Sequence, residues 1–165
     1  YEFYDVINTF KPVWGSDEDF YTGFMRAVSF ARKLIRRQVA REKGEEAMIQ
    51  YVREIYDQAP DKTSLEFDQP VDRFVLSQFS DLQTYIAPAF TENSDNWVAN
   101  TVPNDYQSFS HRAHFPVAWA GLSHEKLEKV SGISGAVFCH KERYMFVGKT
   151  KEAAQRAVQQ ATENQ

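Results

Sequence analysis

The chain has 165 residues, the length of one ordinary domain. With 42% apolar and 25% charged residues, seven Gly, six Pro and one Cys, its composition excludes a disordered chain, a collagen-like repeat and a disulfide scaffold. The net charge of −4 offers no global attraction to polyanions, so any anion-binding role must rest on a local patch.

The longest apolar runs, Val117-Ala118-Trp119-Ala120 and Ala136-Val137-Phe138-Cys139, fall far short of the roughly 20 residues a spanning helix needs. Tyr1-Glu2-Phe3 carries neither a basic n-region nor an apolar h-region, so no signal peptide is visible. The absent initiator Met suggests a processed or excised piece. Cys139 has no partner for an internal disulfide, which fits a reducing, intracellular setting, with cytoplasm, nucleus and mitochondrion all open.

Residues 1–15 read as an extended lead-in, since Pro12 forbids a continuing helix. Ser16 then caps a helix whose first turn carries Asp17, Glu18 and Asp19. Phe20, Phe24, Val28, Ala31, Ile35 and Val39 follow at helical spacing. Gly44 interrupts that pattern, and Glu45-Glu46 opens a second helix with Met48, Ile49, Val52, Ile55 and Tyr56, ending before Pro60. One unbroken helix over 17–58 would reach about 60 Å, longer than a domain of this size, so a bend near Gly44 is expected.

Beyond residue 60 the period shortens. Ser64 to Asp68 reads as a strand and Val71 to Phe79 as a short helix. Thr84 to Phe90 and Trp97 to Val102 form a hairpin about Asn93-Ser94-Asp95-Asn96, with Pro88 marking an edge strand. An irregular, aromatic-rich connection covers 104–122, and a helix runs from Ser123 to about Gly132. Ala136 to His140 and Tyr144 to Val147 make a second hairpin across Lys141-Glu142-Arg143. Thr150 caps a last helix, 151–162, with Ala154, Ala157, Val158 and Ala161 on one side. The expectation is a single α+β domain over 1–165, with a long N-terminal helix or helix pair packed on a small, mostly antiparallel sheet and closed by a C-terminal helix.

Several side chains could carry chemistry. Arg32, Lys33, Arg36 and Arg37 give the first helix a cationic outer face. Such a face can neutralise phosphates, meet an acidic protein, or simply be solvated and paired with Glu45, Glu46 and Glu54. His111 and His114 form a pair with no third ligand at diagnostic spacing, and coincidence outweighs a metal site. Cys139 and His140 are neighbours on a strand and point to opposite faces. A buried thiol is the simpler reading, with a small hydrolase using Cys139 or His140 as the other. Gly148-Lys149-Thr150-Lys151 precedes a helix and could contact an anion, but Arg143 stands where a Walker loop requires glycine. No complete catalytic constellation is present.

Five strings in order carry a resemblance. They are Ile7-Asn-Thr-Phe-Lys-Pro-Val-Trp14 with Gly23-Phe24-Met-Arg-Ala27, then Pro116-Val-Ala-Trp-Ala-Gly-Leu122, Leu127-Glu-Lys-Val-Ser-Gly-Ile133, Gly135-Ala-Val-Phe-Cys-His140 and Phe146-Val-Gly-Lys-Thr-Lys-Glu-Ala-Ala154. Together they resemble the C-terminal part of the MYG exonuclease family, with Lys11 where the family has Asn. The resemblance implies a DHH-type phosphoesterase fold acting with divalent metal, Mn2+ or Mg2+, held by His-Ala-Asp-Asp-like and Asp-His-His strings of an N-terminal half. Neither string occurs here, and no Asp precedes a His.

By resemblance, then, this is the substrate-side half of a metal-dependent phosphoesterase, plausibly a 3′–5′ RNA exonuclease. Its partners would be that N-terminal half and RNA, with homo-oligomerisation open, no membrane, no cofactor in this chain and no catalytic residue of its own. Arg112, His140, Lys149 and Thr150 would lie toward substrate, although the family turn often has Gly-His where this chain has Gly-Lys. The alternative is a non-catalytic nucleic-acid- or protein-binding module using Arg32, Lys33, Arg36 and Arg37.

Overall fold

A computed structural model describes residues 2–89, 95–106 and 109–163, the last two of these by backbone alone. Its contacts fall into two compact units, residues 1–47 and 48–165.

The first unit begins with helix α1, Phe3–Asn8, where an extended lead-in was expected. Asp5 accepts from the backbone N–H of Glu2 at 3.1 Å, which satisfies a donor at the helix start, and Pro12 lies beyond the last turn and does not oppose it. Helix α2 spans Phe20–Gln58 without a break. Asp19, not Ser16, caps it, accepting from the Thr22 N–H at 2.9 Å and the Thr22 hydroxyl at 2.6 Å. The helix does not end at Gly44, where a second was expected to begin. A glycine costs a helix about 1 kcal/mol relative to alanine, too little to end one flanked by good formers such as Glu42, Lys43, Glu45 and Glu46.

The second unit contains the end of α2 and a five-stranded sheet in the order β1-β2-β3-β5-β4. The strands are β1 Ser64–Glu66, β2 Thr84–Pro88, β3 Trp97–Thr101, β4 Ala136–Cys139 and β5 Met145–Gly148. Only β1 and β2 run parallel. Pro88 does not mark an edge strand, because β2 lies between β1 and β3. The proline is tolerated since β1 pairs only with Thr84 to Ile86, and Pro88 stands opposite Trp97 at a non-hydrogen-bonded position, so its missing donor would face away from β3 to where β1 has ended. The turn expected at Asn93 and Ser94 falls outside the described residues.

Alternate strand residues serve two cores. Ile86, Ala99 and Phe146 face helix α5, Lys151–Glu163, through Ala154 and Ala157, with Phe115 and Trp119 completing that layer. Tyr85 and Ala87 point the other way, with Val52 of α2, Phe67 and Leu76. Leu76 belongs to α3, Arg73–Leu76, capped by the Asp72 carboxylate accepting from the Phe74 N–H at 2.9 Å. Helix α4, His124–Ser131, stops at Gly132, which takes φ 69°, a conformation that favours glycine. Thr150 caps α5 as expected, its hydroxyl accepting from the Ala153 N–H at 3.2 Å.

Candidate functional site

The β4–β5 turn places an aromatic and cationic group at one end of the sheet. Arg143 adopts φ 58° and donates its N–H to the His140 carbonyl at 2.8 Å, while the His140 N–H reaches the Met145 carbonyl at 2.9 Å. This tight closure fixes His140 and Tyr144 on one side, with ring centroids 4.3 Å apart.

Segment 111–115 is bonded across the same end. Arg112 N–H donates to the Val102 carbonyl at 2.9 Å, and Phe115 N–H to the Arg143 carbonyl at 2.8 Å. His111 is thereby stacked on Tyr144 at 4.9 Å and 12°. The Arg73 guanidinium lies 5.3 Å from the Tyr144 ring and 4.9 Å from that of Phe74. Tyr144 is therefore the hub of a group formed by His111, His140 and Arg73.

The two imidazoles engage the same ring nitrogen, Nδ1, in opposite roles. His111 Nδ1 is 2.9 Å from the Thr101 carbonyl, which can only accept, so Nδ1 carries the hydrogen and Nε2 the lone pair. His140 Nδ1 accepts from the Glu142 N–H at 3.1 Å, so in its neutral form the hydrogen is on Nε2. Burial holds His111 below the usual histidine range, against the Thr101 bond and with further depression from Arg73 and His114. His114 is lowered as well, by burial and then by Arg143.

Arg112, expected toward substrate, has its guanidinium turned onto the backbone. It donates to the carbonyls of Phe79 at 2.5 Å, Leu82 at 2.7 Å and Ser77 at 2.7 Å, with Asn104 at 3.4 Å. It thus collects carbonyls at the end of α3 and of the turn that follows.

Lys149 and Thr150 are not brought beside His140. Gly148 pairs with Ala136, so this turn occupies the opposite end of the β4–β5 ladder from residue 140. There Thr150 is committed to its capping bond, and the Glu128 carboxylate accepts from the Gly135 N–H at 2.6 Å. Arg32, Lys33, Arg36 and Arg37 belong to the first unit, where all four are exposed and in no ion pair among the described residues.

Cys139 is buried, and desolvation pushes its thiol up to about 11, which leaves it protonated and unreactive at neutral pH. No three His, Cys, Asp or Glu side chains converge among the described residues. A divalent ion needs three or four converging ligands, and the described residues do not bring that many together.

The MYG1 exonuclease family model, described as an uncharacterised protein family (UPF0160), matches residues 2–162. The chain belongs to that family. Its relatives include the MYG1 protein of Chlamydia trachomatis, 29% identical over 94% of this chain and 54% of the relative. The MYG1 exonuclease of Rattus norvegicus is 27% identical over 90% of this chain and 42% of the relative. That of Homo sapiens is 35% identical over 39% of this chain and 17% of the relative. The chain spans about half the length of the curated relatives it matches end to end. No solved structure matches it.

Of the clustered residues, sequence reasoning singled out His140 and His111 but missed Arg73 and Tyr144. Tyr144 could have been found, since the tight turn between two strand patterns brings it back beside His140. Arg73 comes from a distant helix and leaves no mark in the sequence.

Proposed function

We propose that this chain is the substrate-side half of a MYG-type metal-dependent phosphoesterase, a 3′–5′ RNA exonuclease whose metal ligands belong to the remainder of the polypeptide. The observation that carries the reading is the Tyr144 cluster: Arg73 supplies charge for phosphate, and His140 and Tyr144, backed by the buried His111, supply rings and donors for bases and sugar. Single-stranded RNA is held by this combination, with each base–aromatic contact contributing about 1–3 kcal/mol. Family membership and the names of the rat and human relatives, both MYG1 exonucleases, support the nuclease reading. The chemical step would be the companion half's, and this half would fix the register of the strand.

The test is fluorescence anisotropy of a labelled single-stranded RNA oligonucleotide against the 165-residue chain at several salt concentrations. Binding should weaken with salt at a slope of about 0.7 per phosphate contacted. Tyr144→Ala and Arg73→Gln should each reduce affinity about tenfold, equivalent to about 1.4 kcal/mol. Absence of binding, or binding indifferent to both changes, defeats the reading. A second surface is the exposed, unpaired set Arg32, Lys33, Arg36 and Arg37. Sensitivity to Arg36→Ala with Arg37→Ala, but not to Tyr144→Ala, would move the interface to helix α2.

A further inference from the structure

We propose that the exposed apolar stripe of α2 pairs with the same stripe of a second copy of this chain, antiparallel, about a two-fold axis crossing the helix between Ser29 and Phe30. An amphipathic helix ordinarily buries its stripe. Here Phe20, Phe24, Ile35 and Val39 are 49–75% exposed, and Val28 and Ala31 between them are only partly covered. Helix α1 and the segment after it reach only the edge of the stripe's N-terminal part, where Ile7, Phe10 and Pro12 line a groove with Phe20 and Phe24. The Phe10 ring lies 5.5 Å from that of Phe30, and the Phe10 carbonyl sits where a Cβ on Gly23 would be.

The stripe is self-complementary. Its residues are spaced by four, four, three, four and four, an order that reads the same in both directions. In an antiparallel pair centred between Ser29 and Phe30, Phe20 of one copy faces Val39 of the other, Phe24 faces Ile35, and Val28 faces Ala31. Met25 and Leu34, also exposed, are symmetric about the same point and lie on either flank of the seam, about 90° from its midline at 100° per residue. Each large side chain on one half of the stripe therefore finds a partner at the matching place on the other copy, as an isologous contact requires. Alternation of threes and fours is also the spacing that lets side chains of paired helices interlock.

Charge favours the antiparallel arrangement over the parallel one. Asp17, Glu18 and Asp19 stand at the N-terminal end of the stripe, while Arg41, Glu42 and Lys43 lie just past its C-terminal end. The two-fold axis sets Glu18 of each copy, also paired with Arg26 of its own chain, opposite Arg41 of the other, and Asp17 opposite Glu42. Parallel pairing would set the three acids of one copy against those of the other. Opposed helix dipoles favour the same choice.

Sedimentation equilibrium of the 165-residue chain, from about 1 to about 200 µM, should show a monomer–dimer equilibrium in the micromolar range. Ile35→Glu and Phe24→Lys, at surface positions that leave helicity unchanged by circular dichroism, should each weaken it at least about tenfold. Combining them should restore association, because the introduced lysine of one copy then faces the introduced glutamate of the other. That recovery depends on the register and would not follow from loss of apolar area alone. A chain monomeric throughout would give the stripe to the remainder of the polypeptide and overturn the proposal. So would a dimer indifferent to both single changes, or a double variant without recovery.

Discussion

The His111 imidazole lies parallel to the Tyr144 phenol, 4.9 Å between centroids, although the two come from different segments of the chain. The stack depends on His111 remaining neutral. Burial is the principal cause of its lowered pKa, and burial likewise lowers His114. Below the ordinary histidine pKa of about 6.5 the unfolded chain takes up protons that the native chain refuses. The stability these two groups contribute is therefore complete above that value and is lost as pH falls through their folded-state values. The urea midpoint should fall between about pH 7.5 and about pH 5.5, a window above the titration of the carboxylates. His111→Asn should flatten that fall while lowering the midpoint at both values. An equally steep fall in the variant would remove His111 from the account.

What the sequence disclosed and what it withheld divide along physical lines. Helices α4 and α5, both hairpins of the second unit and the capping by Thr150 follow from local chemistry, so residues near in sequence sufficed. Asp19 took the cap from Ser16 because both were acceptable capping residues and only the onset of the helix distinguishes them. The stripe from Phe20 to Val39 correctly announced a helix, but periodicity carries no information about whether a partner covers the face. The Tyr144 cluster draws on α3, segment 111–115 and the β4–β5 turn, so its assembly is a product of tertiary folding. For Arg112 the resemblance implied a place toward substrate, whereas its donation to three carbonyls within 2.7 Å depends on segments distant in sequence and leaves no local mark.

Those carbonyls make Arg112 a stabilising residue. Arg112→Lys supplies one ammonium in place of a fork reaching Phe79, Leu82 and Ser77 at once. Hydrogen bonds from charged groups contribute about 1.5–3 kcal/mol each, so losing their geometry should cost about 2–4 kcal/mol in urea unfolding. Preserved stability in Arg112→Lys would mean the clamp is dispensable.

Thr84 offers a change of opposite sign. It is fully buried in β2 opposite Thr101, and its hydroxyl has no hydrogen-bond partner among the described residues. A buried hydroxyl without a partner costs about 1–3 kcal/mol, so Thr84→Val, which keeps the shape, should raise stability by about 1 kcal/mol. Thermal unfolding is enough to decide, and a lower midpoint would reveal a bond this arrangement lacks.

The Cys139 thiol, raised to about 11 by burial, should be silent toward a disulfide reagent in the native protein at about pH 8 and react fully in denaturant. Its native reaction rate then reports opening of the sheet, since β4 must separate before the sulfur is reached. Rapid modification of the folded chain would place the thiol at the surface.

Gly148 closes β5 directly beneath the first turn of α5. A Cβ there would lie 2.8 Å from the Ala153 Cβ and 3.3 Å from the Phe146 ring, inside a packed layer with nowhere to shift. Gly148→Ala should cost about 1–3 kcal/mol by overpacking. Ala153→Gly removes the offending methyl but weakens α5 by about 1 kcal/mol. The two changes share one contact, so together they should destabilise by less than the sum of their separate effects, with a coupling of at least about 0.5 kcal/mol. Simple additivity would show that β5 and α5 can part to admit the methyl, and that the close approach at Gly148 is not what fixes the helix against the sheet.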